Sequence, residues 1–207
     1  MKKIALIGQG GHAKVIIDMI HANTGYEIVA IFDDKYECLS EDQGICYGPI
    51  SSIKEIIEEI GFKIVLAIGH NAVRKRIVEQ LELKDGSYET IIHPTAVVSE
   101  SASIGFGTVI MPKAVINADT IIGRHVIVNT AAVIEHDNQI GDFAHISPNA
   151  TLTGTVFVNE GTQIGAGAIV IPNRKIGQWS IIGAGATVIH DIPSSCTAVG
   201  SPARVIK

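Results

Sequence analysis

From Ile92 to Val188 every sixth residue is Ile, Val or Leu, seventeen positions in frame without a gap. A second register, four residues after each of these, is small or β-branched from Ala96 to Ala186 and is broken only by Asn138 and Arg174. Helices repeat every ~3.6 residues and strands about every two, so neither accounts for a period of six; a hexapeptide forming one short strand and one corner does. The corners can be read independently. Pro94, Pro112, Pro148 and Pro172 fall two residues after the repeated aliphatic, and Gly107, Gly161, Gly167 and Gly185 fall three after it. Proline presets φ and glycine accepts positive φ, so both belong at turns and the aliphatic belongs inside. The pattern predicts a parallel β-helix whose three six-residue faces close a coil of about 18 residues, giving roughly five and a half coils, with equivalent residues of successive coils about 4.8 Å apart.

The first half of the chain has no such period. Lys3 to Ile7 reads as a buried strand that runs through Gly8-Gln9-Gly10-Gly11-His12-Ala13 into an amphipathic helix, Lys14 to Ala22. Gly8, Gly10 and Ala13 fit the G-x-G-x-x-A opening of a dinucleotide fold, in which bare backbone and a helix N-terminus face a phosphate. A second strand, Glu27 to Phe32, ends in Asp33-Asp34, where acidic side chains meet a nucleotide's sugar or base. Pro49 to Ile60 reads as helix, Lys63 to Ile68 as a third strand ending in Gly69-His70-Asn71, and Ala72 to Leu83 as helix again. The expected domains are therefore an α/β Rossmann-like unit, 1–88, and an all-β unit, 89–207. The first is short for a nicotinamide cofactor and suits a mononucleotide or nucleotide sugar.

Composition narrows the function. Hydrophobic residues make up 46% of the chain, yet no apolar run approaches the ~18 residues of a membrane span. The four apolar residues before Gly8 are too few for a signal-peptide core, so a cytoplasmic protein is expected. With 16 Lys+Arg against 21 Asp+Glu there is no basic run to follow a nucleic acid backbone. Cys38, Cys46 and Cys196 are odd in number and lack C-x-x-C spacing, which fits free thiols.

Against a solenoid of Ile, Val, Ala, Thr and Gly, ionisable residues stand out. They concentrate in Ile134-Glu135-His136-Asp137-Asn138. His136 falls on an outward corner between carboxylates, and 18 residues on is Gly154, the only glycine at that corner position. A histidine can take a proton from a nucleophile at neutral pH, a carboxylate such as Asp137 raises its basicity, and the Gly154 N–H can steady an oxyanion. The open space over Gly154 is expected to admit a thioester beside the imidazole. His145 lies in the same coil on the next face. His125 and His190 read as solvated surface residues.

These motifs, together with Ala67-Ile68-Gly69-His70-Asn71, Arg74 and Gly200-Ser201-Pro202-Ala203-Arg204, run in order through nearly the whole chain. The sequence resembles bacterial sugar acetyltransferases that join a nucleotide-binding domain to a left-handed β-helix, among them the bacillosamine-pathway N-acetyltransferases and their sialic acid O-acetyltransferase relatives. The resemblance implies acetyl transfer from acetyl-CoA to the 4-amino group of a nucleotide-linked 4-amino-4,6-dideoxy sugar, without a metal, in a homotrimer with active sites between subunits. It implies His136 as general base with Asp137 behind it. His145, Gly154, Ala166 and Ala184 then contact acetyl-CoA, and Gly10, Gly11, His12, Asp33, Asp34 and Gly69 form the nucleotide-sugar pocket. Gln9-Gly10 stand where the bacillosamine enzymes have Ala-Ser, which leaves the sugar open. Three other readings remain: O-acetylation of a sialic acid, a hexapeptide-type carbonic anhydrase with zinc on His125, His136 and His145, and a non-catalytic solenoid.

Overall fold

A computed structural model describes all 207 residues. They form two compact units, Met1–Ile91 and Ile92–Lys207.

The first unit contains β1 (Lys2–Ile7), α1 (Gly11–His21), β2 (Tyr26–Phe32), β3 (Ser40–Asp42), β4 (Ile45–Gly48), α2 (Ile53–Ile60), β5 (Lys63–Leu66) and α3 (Asn71–Leu81). Its sheet has the order β3-β4-β2-β1-β5, parallel except for the β3–β4 hairpin. The expected helix from Pro49 is a 3-10 turn, Ile50–Ser52, leading into α2. The hairpin has no counterpart in the sequence reading, because Ser40–Asp42 is fully exposed and carries no apolar alternation. Ala5, Ile7, Phe32, Ile64 and Leu66 form one core with Ile53 and Ile56 of α2 and Ile77 and Leu81 of α3. Successive strand residues face opposite ways, so Ile4 and Leu6 are left to the other face. The α1 crossover runs toward β2 and the later one back toward β5, and with right-handed crossovers α1 covers that face. Reversal of direction around β1 makes a topological switch point, and a ligand crevice forms at the carboxyl ends of such strands.

The second unit is a parallel β-helix. Short strands, nearly all of two residues, stack in sheets of six, five and eight strands, and pairs such as Val115↔Val133 and Ile116↔Ile134 hold the 18-residue register until the last coil, where Ile181 pairs with Thr197. The repeated aliphatics fill one continuous core with the small residues of the second register. At the third residue after the aliphatic the backbone is left-handed: φ is 65–69° at Gly107, Gly161, Gly167 and Gly185. Ten non-glycine residues from Lys113 to Trp179 adopt the same conformation, with φ of 55–61°. Each such residue is strained by roughly 1–2 kcal/mol, which the inter-coil hydrogen bonds offset collectively. A second set of glycines, one residue after the aliphatic, answers to close packing instead. A Cβ on Gly141 would meet Glu160 N at 2.6 Å, and one on Gly165 would meet Ile182 O at 2.5 Å. At the C-terminal end Thr197–Val199 continues the eight-stranded sheet, and Arg204–Val205 turns back to pair with it antiparallel.

His125 is not a surface residue. It sits at a left-handed corner but is only 2% exposed, its ring stacked on Phe143 with centroids 5.1 Å apart. Phe143 is the residue 18 positions on, so the aromatic pair was available in the register. His190 is exposed, as expected.

Candidate active site

In the first unit the residues expected to form a nucleotide-sugar pocket converge on the loops after β1, β2 and β5. Gly8 has φ of 104°, and a Cβ there would lie 2.7 Å from Ile68 Cγ1, so this glycine serves the fold. A Cβ at Gly10, Gly11 or Gly69 would meet nothing within 4 Å, leaving bare backbone open to a ligand. Asp33 braces the turn: its Oδ2 accepts the Gln9 N–H at 2.7 Å and its Oδ1 the Lys35 N–H at 3.1 Å. The Tyr36 hydroxyl donates to Gln9 Oε1. Asp34, beside it, is exposed.

A buried cation, Arg74, and a neutral imidazole, His12, stand at this edge. Arg74, 1% exposed in α3, donates from Nη1 to the carbonyl of Gly69 at 2.9 Å and of Ile68 at 3.3 Å. Burial lowers its pKa to about 9, which still leaves it a cation at neutral pH. His12 opens α1 with Nε2 buried and unbonded. Burial first, then the charge of Arg74, lowers its pKa to about 4. The neutral imidazole is therefore the folded form. Unfolded chains take up this proton below about pH 6.5 while the folded chain does not until about 4, so stability is lost across that window as pH falls. The loss approaches roughly 3 kcal/mol. His12→Gln is expected to flatten this part of the stability–pH curve in urea titrations at pH 7, 5.5 and 4; an unchanged slope would show that His12 does not titrate in this way.

In the second unit the six-stranded sheet delivers His136 to a corner immediately after Val133–Ile134. Asp137, held at φ 59°, places its carboxylate against the ring, with Nδ1 donating to Oδ2 at 2.7 Å. Asp137 therefore reaches the ring. This hydrogen bond, ahead of the charges of Asp137 and Glu135, raises the His136 pKa above its usual 6.5. It also fixes the tautomer, leaving the Nε2 lone pair as the acceptor. One expectation fails: the space over Gly154 is not open. A Cβ on Gly154 would lie 2.6 Å from Cε1 and 2.7 Å from Nε2 of His136, so the imidazole itself occupies that space. Gly154 is buried beneath the ring, and its N–H donates to no group.

Other expected contacts are dispersed. His145 lies in the eight-stranded sheet, where Asn129 Nδ2 meets its Nε2 at 3.0 Å. Asn129 Oδ1 accepts the Thr130 N–H, so Nδ2 is the donor and His145 Nε2 an acceptor. Ala166 and Ala184 are exposed corner residues one coil apart, on the edge between the eight- and six-stranded sheets. His136 and Gly154 occupy the edge between the six- and five-stranded sheets. Arg74, Gln9, Asn129 and Asn138 carry geometry that motif reading missed. His125, His136 and His145 do not come together, and no group of three His, Cys, Asp or Glu side chains is arranged to hold a metal ion.

Residues 3–81 match the PglD N-terminal domain family. A UDP-N-acetylbacillosamine N-acetyltransferase of Bacillus subtilis (strain 168) is 48% identical over 110 residues, 52% of this chain and 50% of that protein. The chain thus aligns with about half the length of that curated relative. Caulobacter crescentus PerB, solved with CoA and GDP-perosamine, superposes with a TM-score of 0.90 at 36% identity, covering 100% of this chain and 98% of that one. The acetyltransferase domain of PglB from Neisseria gonorrhoeae FA1090, in complex with acetyl coenzyme A, gives 0.88 at 38% identity over 99% of each. The chain belongs to this family of hexapeptide-repeat sugar N-acetyltransferases with a PglD-type N-terminal domain.

Proposed function

We propose that this chain transfers the acetyl group of acetyl-CoA directly to the amine of a nucleotide-linked 4-amino-4,6-dideoxy sugar, with His136 as general base. The observation that carries this is the His136 ring, locked through Nδ1 to Asp137 and lying over Gly154, whose N–H has no backbone partner. The sugar nitrogen attacks the thioester carbon while Nε2 takes the nitrogen's proton. The Gly154 N–H donates to the oxyanion once the ring edge shifts to admit the carbonyl. As the C–S bond breaks, the proton passes from His136 to the leaving thiolate, so acetamide and CoA thiol are the products. No acyl-enzyme enters this scheme.

The open backbone at Gly10, Gly11 and Gly69, with His12, Asp33 and Asp34, would hold the nucleotide portion. His145, Ala166 and Ala184 would line the acetyl-CoA path. Since Ala166 and Ala184 lie on a different edge of the coil from His136, and His145 on the eight-stranded sheet, a second copy is needed to assemble one cleft, which supports a homotrimer with sites between subunits. The outward column Val97, Val115, Val133 and Ile169 of the six-stranded sheet offers the apolar face such an assembly needs. Three free thiols fit a cytoplasmic enzyme.

The deciding experiment follows CoA thiol release with UDP-, dTDP- and GDP-linked 4-amino sugars alongside free and CMP-linked sialic acid. Turnover of a 4-amino nucleotide sugar is expected; turnover of sialic acid alone would replace this reading with O-acetylation. The role of Asp137 is checked by pH. Its carboxylate favours the imidazolium, so kcat/KM in the parent should climb with pH through a pKa above 6.5. In Asp137→Asn that limb moves to lower pH, and the plateau falls by about 10-fold as control of the tautomer is lost. Superimposable profiles would remove Asp137 from the mechanism.

A further inference from the structure

We infer that Asn138, a flaw in the small-residue register, is a positioning residue that holds both the base and the oxyanion donor from inside the coil. This rests on the roles proposed above for His136 and Gly154.

Asn138 is 0% exposed, in a core otherwise of aliphatic and small side chains. All of its polar atoms are used. Nδ2 donates to the carbonyls of Glu135 at 2.6 Å, Thr153 at 2.9 Å and His136 at 3.3 Å, and Oδ1 accepts the Val156 N–H at 3.2 Å. Three carbonyls at one end and an N–H at the other leave one orientation of the amide. Thr153 C=O and Gly154 N–H belong to the same planar trans peptide, so drawing the carbonyl inward turns the N–H outward, on the side of the coil where the His136 ring lies over Gly154. A hydrogen bond at that carbonyl also polarises the amide and strengthens its N–H as a donor. The bonds to Glu135 and His136 meanwhile fix the backbone that carries the imidazole. One buried side chain thereby registers the two reacting elements, which sit on successive coils, against each other.

The solenoid supplies its own comparison. Thr108, Thr120 and Thr162 occupy the same inward position, and each hydroxyl donates to the carbonyl 15 residues on: Gly123 at 2.9 Å, Glu135 at 2.9 Å and Gly177 at 2.7 Å. From Asn138 that relation leads to Thr153. A carboxamide adds what a hydroxyl cannot, a second donor turned back to its own corner, and it does so at the His136 corner. Val126 and Val156 fill equivalent positions with no donor, so the fold accepts Val, Thr or Asn there.

Asn138→Val and Asn138→Thr therefore form a near-isosteric pair differing in the hydroxyl that restores the bond to Thr153. Asn138→Val is expected to lower kcat by about 10- to 100-fold, with KM for both substrates within about threefold. Asn138→Thr is expected to recover at least about tenfold of a hundredfold loss. Thr162→Val, which removes the equivalent bond at a corner without a reacting group, should lower thermal stability comparably and leave kcat within about twofold. The inference is overturned if Asn138→Val keeps parental kcat, if the Thr variant is no better than the Val variant, or if Thr162→Val loses as much. Failure of the underlying reading shows separately, as an active His136→Ala protein.

Discussion

His136→Ala is expected to lower kcat by about 100-fold or more in a protein that folds as well as its parent. The side chain is 59% exposed and its one hydrogen bond is to the equally exposed Asp137, so removing it opens no cavity and strands no buried partner. Stability should stay within about 0.5 kcal/mol, the usual range for such a surface change. Catalytically the expected loss is large, because in the proposed scheme Nε2 takes the proton of the attacking amine. Steady-state CoA release with a thermal melt separates the two; parental turnover in the variant would end the base assignment.

Gly154→Ala should cost nearly as much by another route. The added methyl would overlap Cε1 and Nε2 of His136 at 2.6–2.7 Å, and the imidazole, being the free end of an exposed side chain, swings away cheaply. The fold therefore survives while the base is displaced and the peptide N–H is screened, and kcat falls by about 100-fold, comparable to losing an oxyanion donor. A kcat within threefold of the parent would mean that ring and glycine need not touch during turnover. The same change at Gly165 meets backbone atoms, which cannot swing aside, and damages the coil instead.

The contrast explains how much was legible in advance. In the solenoid each residue's surroundings are the residues 18 before and 18 after it, so coil, core, corners and the His136–Gly154 pairing follow from spacing alone. His125 is buried because the residue 18 positions on is Phe143, and the interlocking role of Asn138 lies inside a break in the register. The glycines after the aliphatic answer to clearance between coils and not to turn conformation, a demand that turn-forming propensity does not display. In the first unit no translation links neighbours. Motifs located the loops at Gly8–His12, Asp33-Asp34 and Gly69, but the β3–β4 hairpin, the Asp33–Gln9 brace and the burial of Arg74 depend on contacts between distant segments with no period to betray them.

A stack of parallel strands has no intrinsic reason to stop. Every coil offers the next the same row of peptide groups, so a blunt end is a template on which a second molecule can continue the helix and begin a filament. Arg204–Val205, folded back antiparallel on Thr197–Val199, spends the outermost groups of the eight-stranded sheet on a strand of opposite polarity that no incoming coil can extend in register. Arg204–Val205 thus blunts this edge of the solenoid against the addition of a parallel strand.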